Sequence, residues 1–149
     1  MKKIVFIACA LLLGTAHAQN EKTMKLNAGI ITEKLSETKT FYTQALALGV
    51  TFENDFNLEL LTPNKSAELG FLLPNHPSQK PIFQTAFTGK GVYLTIEVED
   101  VDQIYEQLKA KGISFEVDIR DEPWGDRHFA IIDPNGIGID LVTYTAPVE

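Results

Sequence analysis

Residues 49–53 read Gly-Val-Thr-Phe-Glu, and residues 112–116, 63 positions later, read Gly-Ile-Ser-Phe-Glu. Three positions are identical, and the other two exchange similar side chains. An amphipathic helix pattern precedes each pentapeptide, and each begins with glycine, which often ends a helix in the left-handed conformation. The β-branched and aromatic residues after the glycine favour a strand. The repeat therefore predicts two copies of one unit, with a helix ending and a strand beginning at Gly49 and at Gly112.

Further strand patterns surround each copy. A strand candidate precedes each helix, at residues 28–32 and 92–98, and alternating stretches follow each pentapeptide. These later strands are predicted at residues 57–61, 66–73, 117–120, 128–133 and 137–143. The order is β-α-β-β-β twice, with module one at about 26–74, a Pro- and Gly-rich connector at 75–91 and module two at 92–144. We expect an α+β fold in which both sheets join into one curved mixed sheet, with the helices on its convex side.

The first 18 residues differ from the rest of the 149-residue chain, whose 44% hydrophobic and 22% charged composition is that of one globular domain. Lys2 and Lys3 precede the apolar run 4–13, and Ala-His-Ala ends the segment at 16–18. This pattern predicts a signal peptide at 1–18, followed by a single domain at 19–149. A buried N-terminal helix is the alternative. The run is about half of the ~20 residues that a membrane span needs, so we expect export to the periplasm or the outside and no membrane span.

Charge and cysteine content exclude several classes of partner and site. Removal of Lys2 and Lys3 lowers the Lys+Arg count from 13 to 11 against 20 Asp+Glu, which gives a mature net charge of −9. Nucleic acid is a poor partner for such a surface, because phosphate binding needs clustered basic residues. The single cysteine, Cys9, lies within the predicted signal peptide. The mature protein therefore has no disulfide and no thiol nucleophile or thiolate ligand.

Strand alternation predicts which side chains line the concave face of the sheet. Asp140 is a carboxylate between apolar positions in the last strand, so it is the most informative acid of the chain. Tyr93 and Glu97 share one face of the strand at 92–98, and Glu68 shares the concave face of its strand with Gly70. The side chains predicted to face the helices are Val92, Leu94, Ile96, Val98, Ile137, Ile139 and Leu141, and the remaining concave residues are Leu72, Thr95, Gly138 and Val142.

The turn at 133–136, Asp-Pro-Asn-Gly, predicts the pairing of the last two strands. Pro suits the second position of a type I turn, and Gly suits the left-handed residue of a three-residue hairpin loop. In this register Ala130 lies opposite Asp140, and His128 is a diagonal neighbour on the same face. A His128–Asp140 pair is then expected. A two-residue loop would shift the register by one and remove this pairing. A solvent-facing strand histidine is the alternative for His128.

These motifs together resemble the vicinal oxygen chelate superfamily, which holds glyoxalase I, extradiol dioxygenases and bleomycin-resistance proteins. The resemblance lies in the paired β-α-β-β-β layout, Phe-Tyr at 41–42, Leu-Gly at 48–49, Glu-Asp-Val-Asp at 99–102, and Trp-Gly-Asp-Arg-His-Phe at 124–129 before the Asp-Pro-Asn-Gly turn. It covers roughly residues 26–144. The Pro-Trp-Gly element at 123–125 is more similar to the antibiotic-binding branch than to glyoxalase I.

The resemblance implies four metal-ligand positions in the metal-dependent members. They fall on Asn27, Gly70 (or Glu68), Tyr93 and Asp140 of this chain. Only Asp140 is a good ligand, whereas a divalent centre needs about three protein ligands and usually imidazole. We therefore expect no metal and no other cofactor. A divalent metal ion in a rearranged site is the alternative, with ligands from Asp140, His128, Glu97 and Glu68.

The expected function is the binding of a small organic molecule without catalysis. Trp124 is either a rim anchor that closes the end of the sheet or, with Tyr93 on the adjoining wall, a stacking surface for an aromatic or cationic ligand. The remaining candidate ligand-binding residues are Glu97, Glu68, Asp140, His128 and Asn27. The resemblance also implies a homodimer. Two alternatives stay open: a metal-dependent glyoxalase-type lyase or extradiol dioxygenase, and a structural or partner-binding protein with a vestigial pocket.

Overall fold

The computed structural model describes residues 25–145, so the predicted signal peptide at 1–18 lies outside the described residues. Two units follow each other along the chain, and each has the order strand, helix and three strands. The elements of module one are β1 (Ala28–Ile31), α1 (Leu35–Gln44), β2 (Gly49–Glu53), β3 (Asn57–Leu61) and β4 (Glu68–Leu72). Those of module two are β5 (Tyr93–Glu97), α2 (Val101–Ala110), β6 (Val117–Asp121), β7 (Asp126–Ile132) and β8 (Gly138–Tyr144). A short 3₁₀ turn, Pro81–Phe83, lies in the connector.

The strands form two four-stranded mixed sheets of identical topology. Their orders are β1-β4-β3-β2 and β5-β8-β7-β6. In each sheet the first strand pairs in parallel with the last, and the other pairs are antiparallel. The predicted α+β class and the two β-α-β-β-β modules are thus confirmed. Hydrogen bonding keeps the strands in two separate ladders over residues 25–145, rather than in one continuous ladder.

Alternation along the inner strands produces the core. In β3 and β4 every second residue is buried, and the same apolar face continues in β7 and β8. Each helix covers its sheet with a buried tyrosine, Tyr42 on α1 and Tyr105 on α2. The buried side chains form one cluster that contains residues of both modules. Each module therefore completes its burial against the other, as expected for units too small to close a core alone.

The two glycines of the repeat have different backbone roles. Gly112 follows α2 with a φ of 74°, as predicted. In module one the left-handed residue is Ala47, with a φ of 57°, whereas Gly49 has no positive φ and begins β2. The expectation for Gly49 was therefore wrong, because the chain leaves α1 earlier, at Ala45, and turns before the glycine. The second pentapeptide also precedes its strand, since β6 begins only at Val117.

The turn between β7 and β8 has the predicted form and joins the modules. The backbone N–H of Asp133 donates to the carbonyl oxygen of Ile137 at 3.0 Å, which leaves residues 134–136 as a three-residue loop, and Gly136 has the expected positive φ of 83°. Asp133 is 4% exposed, and its carboxylate accepts hydrogen bonds from the backbone N–H groups of Asn135 and Ile137. The Asn135 side chain reaches module one, where its amide donates to the hydroxyl of Thr38. This turn therefore bonds to α1 as well as to its own hairpin.

Two details of the predicted faces differ from the structure. Leu94, Ile96 and Val98 pack against the core as expected, but Val92 is 50% exposed, because β5 begins one residue later. Val142, predicted for the concave face, is only 1% exposed and offers no surface to a ligand. Over residues 25–145, none of the helices has the length and apolar character that crossing a membrane would require.

Candidate ligand-binding site

The pair predicted from the hairpin register is present on the face of module two that points away from the helices. Ala130 lies opposite Asp140, and His128 lies opposite Val142. The Nδ1 atom of His128 is 2.7 Å from Oδ1 of Asp140. The expected His128–Asp140 hydrogen bond is thus confirmed. The side chains of His128 and Asp140 are 16% and 27% exposed, so the pair is largely shielded from water.

A second carboxylate lies on the other side of the imidazole. Glu122, at the turn between β6 and β7, places Oε1 at 3.3 Å from Nε2 of His128. The same carboxylate forms an ion pair with Arg120, whose Nη2 is 2.5 Å from Oε1. Glu122 was not among the residues predicted from the sequence, because its contact with His128 depends on how the turn between β6 and β7 folds. The result is a chain of alternating charges, Asp140, His128, Glu122 and Arg120.

These contacts determine the protonation of His128. Burial acts to lower its pKa, but the hydrogen bonds and charges of Asp140, and then of Glu122, outweigh burial and raise the pKa above its ordinary value of 6.5. Ionised carboxylates only accept hydrogen bonds, so both contacts favour the imidazolium form, in which each ring nitrogen donates. Neither nitrogen of His128 then has a lone pair to offer a metal ion.

The edge strand β5 continues this face with exposed side chains. Thr95 pairs with Asp140, and Tyr93 pairs with Gly138. Tyr93 is 72% exposed, and Glu97, two residues beyond Thr95, is exposed as well. The structure therefore brings Tyr93, Glu97 and Asp140 onto one face, as the alternation predicted. Among these three, the hydrogen bond to His128 comes from Asp140.

Module one carries a separate polar group on the corresponding face. The Nδ2 group of Asn27 donates to Oε2 of Glu68 at 2.9 Å. Lys25 forms an ion pair with the other oxygen of the same carboxylate, also at 2.9 Å. Asn27 and Glu68 are thus brought together, but Glu68 has its own cation and is not an unneutralised charge.

Glu59, on β3, is a residue that the sequence analysis missed. It pairs with Gly70, and its carboxylate lies over that glycine: a Cβ atom on residue 70 would be 2.8 Å from Oε2 and 3.1 Å from Oε1. The signal was present, because Leu58 and Leu60 are buried and alternation turns Glu59 to the opposite face. Glu59 therefore fills the space that a longer side chain at position 70 would take.

Trp124 and Tyr93 do not form adjoining walls, and that expectation was wrong. Tyr93 pairs with Gly138 at one end of β8, whereas Trp124 lies two residues before Asp126, which pairs with Tyr144 at the other end. Six residues of strand separate these ends by roughly 20 Å. Trp124 is 63% exposed, and its Nε1 group donates to Oδ2 of Asp126 at 2.7 Å. Its ring therefore lies at the rim of the sheet.

The donor set does not fit a divalent metal centre. In the described part of the chain, no three His, Cys, Asp or Glu side chains converge as ligands would. His128 is engaged at both nitrogens, and Glu68 is paired with Lys25. The ligand positions that the family resemblance implies hold Asn27, Gly70, Tyr93 and Asp140. A lyase or dioxygenase centre needs about three good ligands with open positions for substrate, which these residues do not supply.

Two hollows in the surface lie away from the predicted residues. One, of about 550 Å³, is bordered by α1 and the turn between β2 and β3. The other, of about 750 Å³, lies between α1 and the residues that follow α2, where Phe41, Ala45 and Ile113 provide an apolar wall. The sheet faces that carry Tyr93, Asp140 and Glu59 contribute to neither hollow. These faces are exposed to solvent, since Tyr93 is 72% exposed and Gly29 is exposed as well.

The fold and this site can be compared with known proteins. The family model described as "Glyoxalase/Bleomycin resistance protein/Dioxygenase superfamily" matches residues 23–141. The chain belongs to this superfamily. Its two β-α-β-β-β modules are those expected of a glyoxalase/bleomycin resistance/dioxygenase superfamily member, so the resemblance seen in the sequence is confirmed. No curated protein matches the chain.

Solved structures of other members have the same fold. TnmS3, an antibiotic binding protein from Streptomyces sp. CB03234, is 17% identical with a TM-score of 0.66, over 83% of this chain and 98% of that chain. A glyoxalase/bleomycin resistance protein/dioxygenase from Nocardioides is 20% identical with a TM-score of 0.68, over 85% and 89%. Lactoylglutathione lyase from Agrobacterium tumefaciens is 17% identical with a TM-score of 0.66, over 81% and 94%. At these identities the likeness extends to the fold alone.

Proposed function

We propose that this superfamily member binds a cationic organic molecule on the open faces of its sheets and releases it chemically unchanged. The observation that carries the proposal is the position of His128 between Asp140 and Glu122. An imidazolium held at both nitrogens serves neither as a metal ligand nor as a general base. The remaining groups on these faces, Glu59, Glu97 and Tyr93, are suited to attract and stack against a cation.

The overall charge supports a cationic ligand. The chain has a formal net charge of −7, and removal of the predicted signal peptide would make it −9. Such a surface raises the local concentration of cations and repels anions. The substrates of phosphate- or carboxylate-binding enzymes would meet a field of the wrong sign. TnmS3, with the same fold, is an antibiotic binding protein, which makes sequestration of a drug-like molecule a reasonable role for this chain.

We also propose that the protein is exported to the periplasm or the outside and acts as a homodimer. Export rests on the basic and apolar pattern of residues 1–18. A homodimer is supported by β5, which lies at the edge of its sheet with Val92 and Tyr93 half or more exposed beside it. A second copy would cover this edge and turn an open face into a cleft. Light scattering coupled to gel filtration tests the proposal, and a monomer mass at micromolar concentration would contradict it.

Calorimetric titration tests the binding function. The ligands are metal-free bleomycin and ethidium, both cationic and aromatic, and the matched control is phenanthridine, the uncharged parent ring of ethidium. We expect saturable binding of at least one cation with micromolar affinity and much weaker binding of phenanthridine. Equal binding of ethidium and phenanthridine would contradict charge recognition, and an absence of any binding would favour a vestigial pocket.

Metal analysis separates binding from catalysis. The protein is purified without a histidine tag, and its Ni, Zn, Fe and Mn contents are measured alongside lactoylglutathione lyase and catechol-cleavage assays. We expect less than about 0.1 metal ion per chain, which is at least tenfold below one ion per chain, and no turnover in either assay. Near-stoichiometric metal with turnover in either assay would overturn the proposal in favour of a metal-dependent enzyme.

A further inference from the structure

Glu59 occupies a special place in the sheet of module one. It pairs with Gly70 on β4, and Gly70 pairs in turn with Gly29 on β1. Two neighbouring positions in this row therefore have no side chain, and the Glu59 carboxylate occupies the space above the first of them, Gly70. A Cβ atom on Gly29 would meet nothing within 4 Å, so the floor beyond the carboxylate is open. Gly29, Gly70 and Glu59 therefore form a shallow surface that the negative charge of Glu59 bounds on one side.

The described residues 25–145 do not neutralise this negative charge. In the part of the structure from residue 25 to residue 145, no Lys, Arg or His nitrogen comes within 4.0 Å of the Glu59 carboxylate. Lys25 is bonded to Glu68, and Lys39 is bonded to Glu53. Glu59 is also only partly exposed. Partial burial raises the free energy of an unpaired carboxylate. A cation that binds to it therefore stabilises it.

Comparison of the modules shows why the charge remains. Asp140 in module two occupies the strand position that Gly70 occupies in module one. Each of the two residues pairs with a residue of the parallel edge strand on one side and with a residue of the antiparallel strand on the other. Each row thus holds one carboxylate, Asp140 in module two and Glu59 in module one. In module two His128 neutralises it. The residue that corresponds to His128 in module one is Asn57, which is uncharged and whose Oδ1 atom has no hydrogen-bond partner.

We propose that Glu59, whose carboxylate covers Gly70, is the residue that binds the cationic group of the ligand, and that a flat organic cation lies beside it against the bare backbone of Gly29. This inference rests on the proposed function and identifies the site within it. It also predicts the class of ligand: an aromatic or planar cation with its positive charge near one edge of the ring system. Asp140, already neutralised by His128, contributes less to binding than Glu59.

Substitution of the carboxylate tests this inference directly. Glu59→Gln keeps the shape and removes the charge. We expect it to weaken ethidium binding about tenfold or more, as the loss of a charge-assisted contact implies. Its matched control is Glu106→Gln, which removes one charge from the exposed face of α2 and should change the affinity less than twofold. Binding of phenanthridine should be the same in all variants.

Gly70→Ala tests the geometry without changing any charge. The added methyl group would overlap the carboxylate oxygens of Glu59 and force that flexible side chain aside. We expect Gly70→Ala to weaken ethidium binding, and Glu59→Gln/Gly70→Ala to bind no more weakly than Glu59→Gln alone. Circular dichroism and thermal unfolding of each variant establish that it is folded.

The possible outcomes separate the two proposals. If the wild-type protein binds ethidium and Glu59→Gln binds it equally well, the assignment of Glu59 is wrong while the proposed binding function stands. If Asp140→Asn rather than Glu59→Gln abolishes binding, the site lies in module two and the assignment is likewise wrong. If the wild-type protein binds neither ethidium nor bleomycin, both proposals fail.

Discussion

The hydroxyl group of Tyr42 on α1 donates a hydrogen bond to Oδ2 of Asp133, 3.1 Å away, in the turn between β7 and β8. The two residues are 91 positions apart and belong to different modules. Burial, and then the charge of Asp133, raise the pKa of the Tyr42 hydroxyl far above its ordinary range. The phenol therefore stays protonated, and remains a donor, beyond the pH at which an exposed tyrosine ionises.

Tyr42→Phe should destabilise the protein by about 1–3 kcal/mol, because it removes a buried hydrogen bond to a charged group. Asp133 would still accept hydrogen bonds from the backbone of Asn135 and Ile137, so the loss of stability should be smaller than for a buried charge without any partner. Urea unfolding measures the effect. Tyr144→Phe is the matched control, since Tyr144 is 56% exposed and its loss should cost less than about 0.5 kcal/mol. Equal effects of the two changes would argue against the Tyr42–Asp133 bond.

His128 predicts a pH dependence of stability. Its pKa is raised in the folded protein above the value of 6.5 that applies to the unfolded chain. Its contribution is therefore fully present below about pH 6.5 and is lost as the pH rises through the higher folded-state pKa. His128→Gln should remove this loss of stability above pH 6.5, as measured by urea unfolding across a pH series.

The His128 pKa is also measured directly by NMR titration of the imidazole. Asp140→Asn should lower that pKa more than Glu122→Gln does, because Asp140 makes the larger contribution to raising it. An imidazole pKa below 6.5 in the wild-type protein would contradict the charge chain.

The shared core predicts that the modules unfold together. Leu60 is completely buried in module one, and Leu60→Ala should cost about 2–5 kcal/mol. Trp124, the single tryptophan, lies in module two and reports on that module by its fluorescence. We expect the fluorescence transition to shift by the same amount as the far-UV circular dichroism transition. Leu26→Ala, at a residue that is 91% exposed, is the control. If Leu60→Ala leaves the midpoint of the fluorescence transition unchanged, the modules unfold independently.

The repeat supplies its own matched pair of glycine variants. Gly112→Ala places a side chain at a φ of 74° and should destabilise the protein by about 1–2 kcal/mol. Gly49→Ala should change the stability by less than about 0.5 kcal/mol, since its φ is not positive and nothing lies within 4 Å of the added carbon. Thermal unfolding of both variants provides the comparison. Similar costs at the two positions would mean that the glycines share one backbone role.

Part of the candidate site followed from the sequence, because hairpin register is local. The turn at 133–136 determines which residues of β7 and β8 face each other, and this led from Asp140 to His128. Glu59 was accessible by the same alternation rule but was missed, since its importance depends on the bare glycine beside it. Glu122 was not accessible, because its contact depends on how a turn folds back over the sheet.

The sequence by itself determined the two modules, their order of strands and helices, and the faces of the inner strands. Those features depend on periodicity and turn chemistry over a few residues, which the chain carries locally. Only the tertiary structure decided the rest: that Val142 is covered, that Trp124 and Tyr93 lie at opposite ends of a sheet, and that Tyr42 bonds Asp133. These relationships depend on how separate elements pack against each other. Packing is determined by the shape of the whole core and not by any single stretch of sequence.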